Sequence, residues 1–228
     1  MYLVIDTSTR HGAVGIWRDG TLARTLAWRS RHNHTAELMP AVDEVLKGIG
    51  AAPKELTGIV VAHGPGGFSA LRVGLGAAKG LAFAVGAPLV GISTLEASAY
   101  PYRGVGLPVC SIIESGRDLM AWARFQETAA GWKRRTADRI TPSEALLAAR
   151  GRHTLFCGEG VTAMAERLQE AMGARAHMVS EQMPLSRLAG LAELGAARLD
   201  AGDVDDIAAV RPRYLRAPTI TPPRPPRA

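Results

Sequence analysis

The sequence predicts an α/β fold of two half-domains, each a mixed sheet flanked by helices. Short apolar runs bounded by turn residues alternate with helical patterns, and a similar series of elements occurs twice. The chain has 228 residues, of which 47% are hydrophobic and 21% charged, enough for a substantial core. We expect the first half at residues 1–103, the second at 104–205, and a terminal segment with a flexible Pro/Arg-rich tail at 206–228.

The first half begins with three predicted antiparallel strands, at residues 2–6, 13–17 and 22–28. Asp19-Gly20 predicts a tight hairpin between the last two, because both residues tolerate a positive φ. A helix follows at 35–47, with Pro40 in its first turns or at a kink. A buried strand at 58–63, a small-residue helix at 70–85 and a strand at 88–92 come next. Ser93 and Glu96 then predict a capping box for a short helix.

The second half offers a similar series. Strands are predicted at 108–113, 119–125 and 131–134, and Thr141, Pro142 and Glu144 open a helix. A strand at 154–157, a helix at 162–172, a short strand at 176–179 and a helix at 187–200 complete it. The order of strands and helices in the first half is that of a ribonuclease-H-like unit. The sequence therefore predicts the actin-like ATPase fold, which is built from two such units.

A glycine-rich loop, Gly64-Pro65-Gly66-Gly67, joins the buried strand to the small-residue helix. Unpaired backbone N–H groups beside the N-terminus of a helix favour binding of an anion, so the loop is a candidate phosphate site. Two familiar phosphate motifs fail here. The P-loop needs Gly-Lys-Ser/Thr, but Lys79 lies well inside the helix, and the dinucleotide motif needs glycine where the chain has Ser69.

The helix after this loop is rich in small residues. Glycine inside a helix costs roughly 1 kcal/mol relative to alanine, so its glycines require a compensating gain. Ala70, Gly74, Ala77, Ala78 and Leu81 share one stripe that would let another helix approach closely. The stripe fits two interpretations: packing within the chain, or a helix-to-helix subunit interface.

Composition limits the other function classes. Two of the six net positive charges, Arg224 and Arg227, belong to the tail, and the remaining excess does not indicate direct nucleic-acid binding. Cys110 and Cys157 show no paired motif, so we expect two reduced thiols. No signal peptide or stretch of membrane-spanning length is apparent, which predicts a cytoplasmic protein without membrane contact.

Polar clusters leave open two kinds of site. His32, His34 and Glu37 lack the spacing of a metal site, so we expect loop and cap histidines and no metal. Asp6, Thr7 and Ser8 end the first strand, where actin-like ATPases organise phosphate and magnesium. Asp6 could instead satisfy backbone N–H groups of the following turn, which we favour because no second phosphate turn follows residue 107. Gly158 lies in a glycine turn that could approach an adenine.

Specific strings, in order, resemble the TsaB family of bacterial tRNA threonylcarbamoyladenosine biosynthesis proteins. They are LVIDTST at 3–9, HTAELMP at 34–40, GPGGFSALRVGL at 64–75, AKGLA at 78–82, GISTLE at 91–96 and PRYLR at 212–216. There are two departures from the family pattern. The family has Ser-Phe-Thr-Gly at 67–70 and Asp-Ala-Arg where this chain has residues 114–117.

The resemblance implies an actin-like protein with no catalytic residues, which binds and activates the catalytic subunit TsaD. TsaD transfers threonylcarbamoyl to the adenosine 3′ of the anticodon in tRNAs reading codons that begin with A. The ATPase TsaE is a further partner, the free chain is a homodimer, and tRNA is reached through the complex. No cofactor is required, and weak binding of ATP or ADP stays open.

In the family, the first two helices form the dimer surface. The residues expected there are Leu38, Val42, Ala70, Leu71, Gly74, Ala77, Ala78 and Leu81. Two alternatives remain. One is an actin-like ATPase or small-molecule kinase with its nucleotide at Asp6, Thr7, Ser8 and Gly158. The other is direct tRNA binding through Arg10, Arg29, Arg31 and the basic tail.

Overall fold

A computed structural model describes residues 1–31, 33–116, 118–148, 153–179 and 184–215. The first sheet has five strands in the order β3-β2-β1-β4-β5. β2 pairs antiparallel with β1 and β3, while β4 pairs parallel with β1 and β5, which confirms the predicted meander. Asp19 and Gly20 have φ of 51° and 77° in the tight turn between β2 and β3. The strands are β1 (Tyr2–Asp6), β2 (His11–Arg18), β3 (Thr21–Arg29), β4 (Gly58–Gly64) and β5 (Leu89–Ser93).

Helices α1 (His34–Lys47) and α2 (Phe68–Val85) cover one face of the first sheet. Their apolar residues join those of β1 and β4 in one buried cluster that includes Leu3, Leu38 and Leu75. Pro40 lies inside α1, which continues to Lys47. The short helix α3 (Thr94–Ala99) follows β5, and its cap Ser93 accepts a hydrogen bond from the Glu96 N–H at 3.5 Å.

The second sheet has the order β11-β10-β6-β7-β8, and β9 pairs with β7. Its strands are β6 (Val109–Glu114), β7 (Leu119–Thr128), β8 (Gly131–Arg134), β9 (Arg139–Pro142), β10 (Thr154–Cys157) and β11 (Ala176–Met178). Helices α4 (Ser143–Ala148) and α5 (Val161–Met172) accompany it. Apolar residues of α5 pack on one face of this sheet, and Leu95 and Ala99 of α3 pack on the other. The helix α3 therefore lies between the two half-domains.

The last helix, α6 (Pro184–Asp200), packs on the first sheet, although its position in the sequence assigns it to the second half. Leu188 and Leu191 join a buried cluster with Val4 and Val60. An added Cβ at Gly195 would lie 2.3 Å from Val60 Cγ1, so the helix approaches the strands closely there. With helices on both faces, β1 and β4 are buried on both sides, which explains their continuous apolar runs.

The segment after α6 also returns to the first half. The Asp205 N–H donates to Leu89 O at 2.9 Å, and the Arg213 N–H donates to His63 O at 2.7 Å. The Tyr214 ring stacks on Phe68 at 4.7 Å between centroids. The PRYLR string thus lies beside β4 and the start of α2, although its Arg216 and the tail at 217–228 are outside the described residues.

Within the described residues, α2 is the one helix that is long and apolar enough to cross a membrane by length and composition. Of this helix, 28% is buried inside the chain. Leu71, Leu75, Ala78 and Ala82 form its buried face and pack towards the first sheet. Val73, Ala77, Leu81 and Val85 pack partly against the same core, whereas Phe83 is exposed.

Candidate functional site

A buried ion-pair cluster lies between the two half-domains. The Arg187 guanidinium donates from Nε to Asp6 Oδ2 at 2.5 Å and from Nη1 to Glu159 Oε1 at 2.7 Å. Asp6 ends β1 of the first sheet, and Glu159 follows β10 of the second. One side chain of α6 therefore joins the two half-domains at the ends of these strands.

Further hydrogen bonds satisfy the same guanidinium. Arg187 Nη2 donates to Thr9 Oγ1 at 3.0 Å and to His11 O at 3.2 Å, while Thr9 Oγ1 donates to Glu159 Oε1 at 2.7 Å. His11 Nδ1 lies 3.4 Å from Glu159 Oε1. A buried cation is tolerable when it is both paired and fully hydrogen-bonded, and Arg187 meets both conditions.

The charges of the cluster reinforce each other. Burial alone would raise the pKa of Glu159, but the neighbouring Arg187 and the hydrogen bonds from Arg187 and Thr9 hold that pKa below its usual value. Burial likewise opposes the charge on Arg187, yet Asp6 and Glu159 raise its pKa above the ordinary value. Arg187 and Glu159 are therefore both charged at neutral pH.

The turn after β1 uses the other oxygen of Asp6. Asp6 Oδ1 accepts from the Ser8 N–H at 2.9 Å and from Ser8 Oγ at 2.6 Å, the arrangement that the turn interpretation expects. Thr7 Oγ1 donates to Ala70 O at 2.7 Å. Asp6, Thr7 and Ser8, three candidates for a nucleotide site, thus use their polar groups within the chain.

Glycines at the ends of β4 and β10 allow close contact with other segments of the chain. An added Cβ at Gly158, where φ is 99°, would lie 2.2 Å from Ile112 O, so this turn packs directly on β6. An added Cβ at Gly66 would lie 2.2 Å from Ser8 O, and one at Gly64 would lie 2.7 Å from Arg213 O. The Gly67 N–H donates to Ser8 O at 2.8 Å. Side chains at Gly64 and Gly66 would clash with neighbouring backbone, so close packing within the chain explains why the loop is rich in glycine.

The predicted interface residues on α1 and α2 divide between two environments. Five of the eight are buried inside this chain and so cannot contact a partner directly: Leu38, Val42, Leu71, Gly74 and Ala78. An added Cβ at Gly74 would lie 2.3 Å from Thr7 Oγ1, so this glycine serves internal packing. Ala70, Ala77 and Leu81 are partly exposed.

A different face of α2 points outward. Added Cβ atoms at Gly76 and Gly80 would meet nothing within 4 Å, and Phe83 is 84% exposed. Ala84 is exposed beside them. Met39 of α1 is 45% exposed. We call Met39, Gly76, Gly80, Phe83 and Ala84 the outward face.

The histidines and cysteines have mostly structural environments. His34 is buried with Nε2 at 2.8 Å from Thr9 O, and His153 Nδ1 lies 3.1 Å from His177 Nε2. In the part of the chain that the structure describes, which leaves out His32, no three His, Cys, Asp or Glu residues are arranged to hold a metal. Cys110 and Cys157 are unpaired and buried, and burial raises the pKa of Cys110 to about 12.

The basic residues expected to contact tRNA are exposed where they are described. Arg10, Arg29 and Arg31 lie at or near the outer end of the β2–β3 pair. Arg224 and Arg227 lie outside the described residues, as does Arg117 of the altered turn at 114–117. Sequence reasoning missed Arg187, because nothing near it in the sequence connects it with Asp6.

Comparison with known proteins supplies the family. The family model described as TsaD, tRNA N6-adenosine threonylcarbamoyltransferase, matches residues 28–219. The tRNA threonylcarbamoyladenosine biosynthesis protein TsaB of Bacillus subtilis is 27% identical over 222 residues, covering 94% of this chain and 93% of that protein. The Escherichia coli TsaB is 32% identical over 126 residues, 54% of each chain. The solved structure of YeaZ from Pseudomonas aeruginosa has a TM-score of 0.78 and 25% identity, covering 94% of this chain and 99% of that chain.

Proposed function

Because this chain belongs to the TsaD family and, within it, to the TsaB (YeaZ) group of tRNA threonylcarbamoyladenosine biosynthesis proteins, we propose that it is a noncatalytic scaffold. In this role it binds a TsaD subunit and stabilises the arrangement in which that subunit modifies tRNA. The chain performs no group transfer itself and works in the cytoplasm.

The Asp6–Arg187 pair is the observation that carries the noncatalytic role. An actin-like ATPase needs the acid at the end of its first strand free to organise magnesium and phosphate. Here both carboxylate oxygens of Asp6 are used, one by Arg187 and one by Ser8. Separating Asp6 from Arg187 would leave the buried Asp6 carboxylate without its cation, which is strongly unfavourable. We therefore propose that the chain needs no nucleotide or metal.

The outward face supplies the docking surface. Its glycines bring the α2 backbone to the surface, so a helix of a partner can pack closely against it. Phe83 and Met39 add apolar area of the kind found at the centre of protein interfaces. This face serves TsaD and, when TsaD is absent, a second copy of the chain. TsaE then joins the assembled pair.

The competing function is an ATPase or small-molecule kinase acting at Asp6. It requires Arg187 to leave both of its carboxylate partners before a nucleotide could enter. Isothermal calorimetry with millimolar ATP separates the two functions, since a kinase of this fold must bind its nucleotide. Heat of binding that disappears in Asp6→Asn would favour the kinase.

A matched pair of substitutions tests the scaffold role. Ala84 on the outward face and Ala197 on α6 are both exposed alanines within helices. Ala84→Glu places a charge in the proposed interface, whereas Ala197→Glu places the same charge away from it. Size-exclusion chromatography with the TsaD of the same organism should show a complex for wild type and Ala197→Glu and none for Ala84→Glu. A complex of unchanged stability with Ala84→Glu would overturn the proposed face.

A further inference from the structure

The positive charge of this chain is concentrated at its C-terminal end. Residues 211–228 contain arginine at 211, 213, 216, 224 and 227 and no acidic residue. Without these five charges, the net charge of +6 falls to +1 for residues 1–210. Most of the chain is thus nearly neutral, and one short segment makes it basic.

The described part of this segment forms one wall of a groove along α2. The groove has a volume of about 440 Å³. Arg72, Gly76 and Lys79 of α2 lie on one side, and Arg211, Pro212 and Tyr214 of the terminal segment lie on the other. No lining residue is acidic. We call these six residues the cationic groove.

The arginines of the groove are held in place without a carboxylate. Arg72 Nε donates to Tyr214 Oη at 3.0 Å, and its guanidinium lies 4.0 Å from the Phe68 ring centroid. Arg211 Nη1 donates to the backbone oxygens of Ala208 and Val210. Among the residues that the structure describes, none of Arg72, Lys79 and Arg211 has a carboxylate within ion-pair distance. Their charges therefore remain available to a ligand.

Neighbouring arginines behave differently. Arg213, two residues after Arg211, pairs with Asp138 at 3.2 Å. Arg198 pairs with Asp203 at 2.7 Å and with Asp205 at 3.0 Å. Arginines that hold the terminal segment in place are thus neutralised by acids of the same chain, whereas those lining the groove are not. The groove thus presents positive charge that no acid of the described residues neutralises.

We propose that the cationic groove binds the phosphate backbone of RNA. If the proposed function holds, on which this proposal rests, that RNA is the tRNA that the complex modifies. Lys79 lies seven positions after Arg72, so their Cα atoms are about 10 Å apart along one edge of α2. A row of cations suits a repeating polyanion, and the planar guanidinium matches phosphate oxygens. An added Cβ at Gly76, which lies between them, would have no atom within 4 Å. The RNA backbone can therefore approach α2 closely at this position.

Other occupants fit the groove less well. Residues 216–228 carry three arginines and no acid, so their charge does not complement that of the groove. An acidic protein segment would satisfy the same cations, but the stacked Phe68 and Tyr214 rings beside them also suit nucleic-acid bases. Arg72 and Lys79 lie on the edge of α2 beside residues 210–214, whereas Val73, Ala77 and Leu81 approach the cluster containing α1. Gly76 belongs to both the groove and the outward face, so RNA in the groove would border a protein docked on α2.

The test measures tRNA binding by the assembled complex with TsaD, using a fluorescent tRNA transcript and a salt titration. Lys79→Gln/Arg211→Gln removes two charges from the groove, and Arg29→Gln/Arg31→Gln removes two exposed charges from the alternative site at the end of β3. We expect the groove variant to weaken binding about tenfold or more and to lower the slope of log affinity against log salt by about 2. The tRNA affinity of the control should stay within about twofold of wild type. At about 0.15 M salt, charges that do not contact the RNA are largely screened.

The outcomes distinguish a failure of the RNA site from a failure of the proposed function. Size-exclusion chromatography of the same samples shows whether each variant still assembles with TsaD, and circular dichroism shows whether it is folded. Wild-type affinity in an assembled groove variant would overturn the RNA site, as would an equal loss in the control. Loss of assembly with intact tRNA binding would assign the groove to an acidic protein segment instead. Failure of wild type to assemble at all would overturn the proposed function.

Discussion

Arg187 Nε lies 2.5 Å from Asp6 Oδ2, and both side chains are completely buried between the half-domains. The pair connects α6 with the end of β1, 181 residues away in the sequence. Glu159 adds the second half-domain to the same guanidinium. The acid at the end of β1 is thus paired within the chain, as the proposed noncatalytic role requires.

The first prediction concerns the stability that this pair provides. Arg187→Met removes the cation and leaves Asp6 and Glu159 uncompensated, so we expect the free energy of unfolding to fall by about 3–5 kcal/mol. Arg24→Met is the control, because Arg24 is exposed and lies 4.0 Å from Glu44, a geometry worth about 0–1 kcal/mol. Urea unfolding followed by circular dichroism measures both. Equal, small losses in the two variants would show that the buried pair is not a major support.

The second prediction is a pH dependence. The pKa of Glu159 is lower in the folded chain than its usual value, so its contribution to stability is complete above the unfolded pKa, about 4.3, and is lost as pH falls through the folded pKa. The stability difference between wild type and Glu159→Gln should therefore stay constant from pH 7 to about 5 and shrink below about 4.3. Urea titrations from pH 7 to pH 3 measure it. A difference that widens on acidification would contradict the assigned direction.

The third prediction compares the same substitution at two glycines of α2. An added Cβ at Gly74 meets Thr7 Oγ1 at 2.3 Å, so Gly74→Ala should destabilise the isolated chain by about 1–3 kcal/mol. Gly80 faces open space, and Gly80→Ala should stabilise the helix by up to about 1 kcal/mol. Thermal unfolding of the two variants gives opposite shifts if these faces are assigned correctly. Shifts of the same sign would refute the assignment.

These two glycines also show how far the sequence determines the site. Small residues predict close packing of α2. The sequence does not show which of Gly74, Gly76 and Gly80 faces the rest of the chain. The sequence therefore predicted the helix correctly, but three of the interface residues expected on it, Leu71, Gly74 and Ala78, lie on its buried side. Burial of that side became visible only once the sheet beneath it was known.

Strand prediction succeeded where apolar runs were long or turns were distinctive. The bounds of β1, β8 and β10 match the structure, and the Asp19-Gly20 hairpin has the expected backbone. β9 was missed because Arg-Ile-Thr-Pro is short and ends in proline. The packing of α6 on the first sheet could not be predicted, because an apolar helical face does not specify which sheet it covers. Arg187 could not be predicted as part of the site for the same reason.

The fourth prediction concerns nucleotide. With Asp6 held by Arg187 and Ser8, Mg-ATP should leave the midpoint of thermal unfolding of the isolated chain unchanged. A site filled at a hundred times its Kd would stabilise the fold by about 2.7 kcal/mol, which differential scanning fluorimetry detects readily. An upward shift with ATP that Asp6→Asn removes would reopen the kinase function.

The reconstituted transfer of threonylcarbamoyl to tRNA by TsaD tests the scaffold role most directly. The assay titrates wild type, Ala84→Glu or Ala197→Glu, with a parallel arm that omits TsaD. The scaffold account predicts stimulation by wild type and Ala197→Glu, stimulation by Ala84→Glu only at much higher concentration, and no transfer without TsaD. Equal stimulation by all three chains, or transfer by this chain alone, would contradict it.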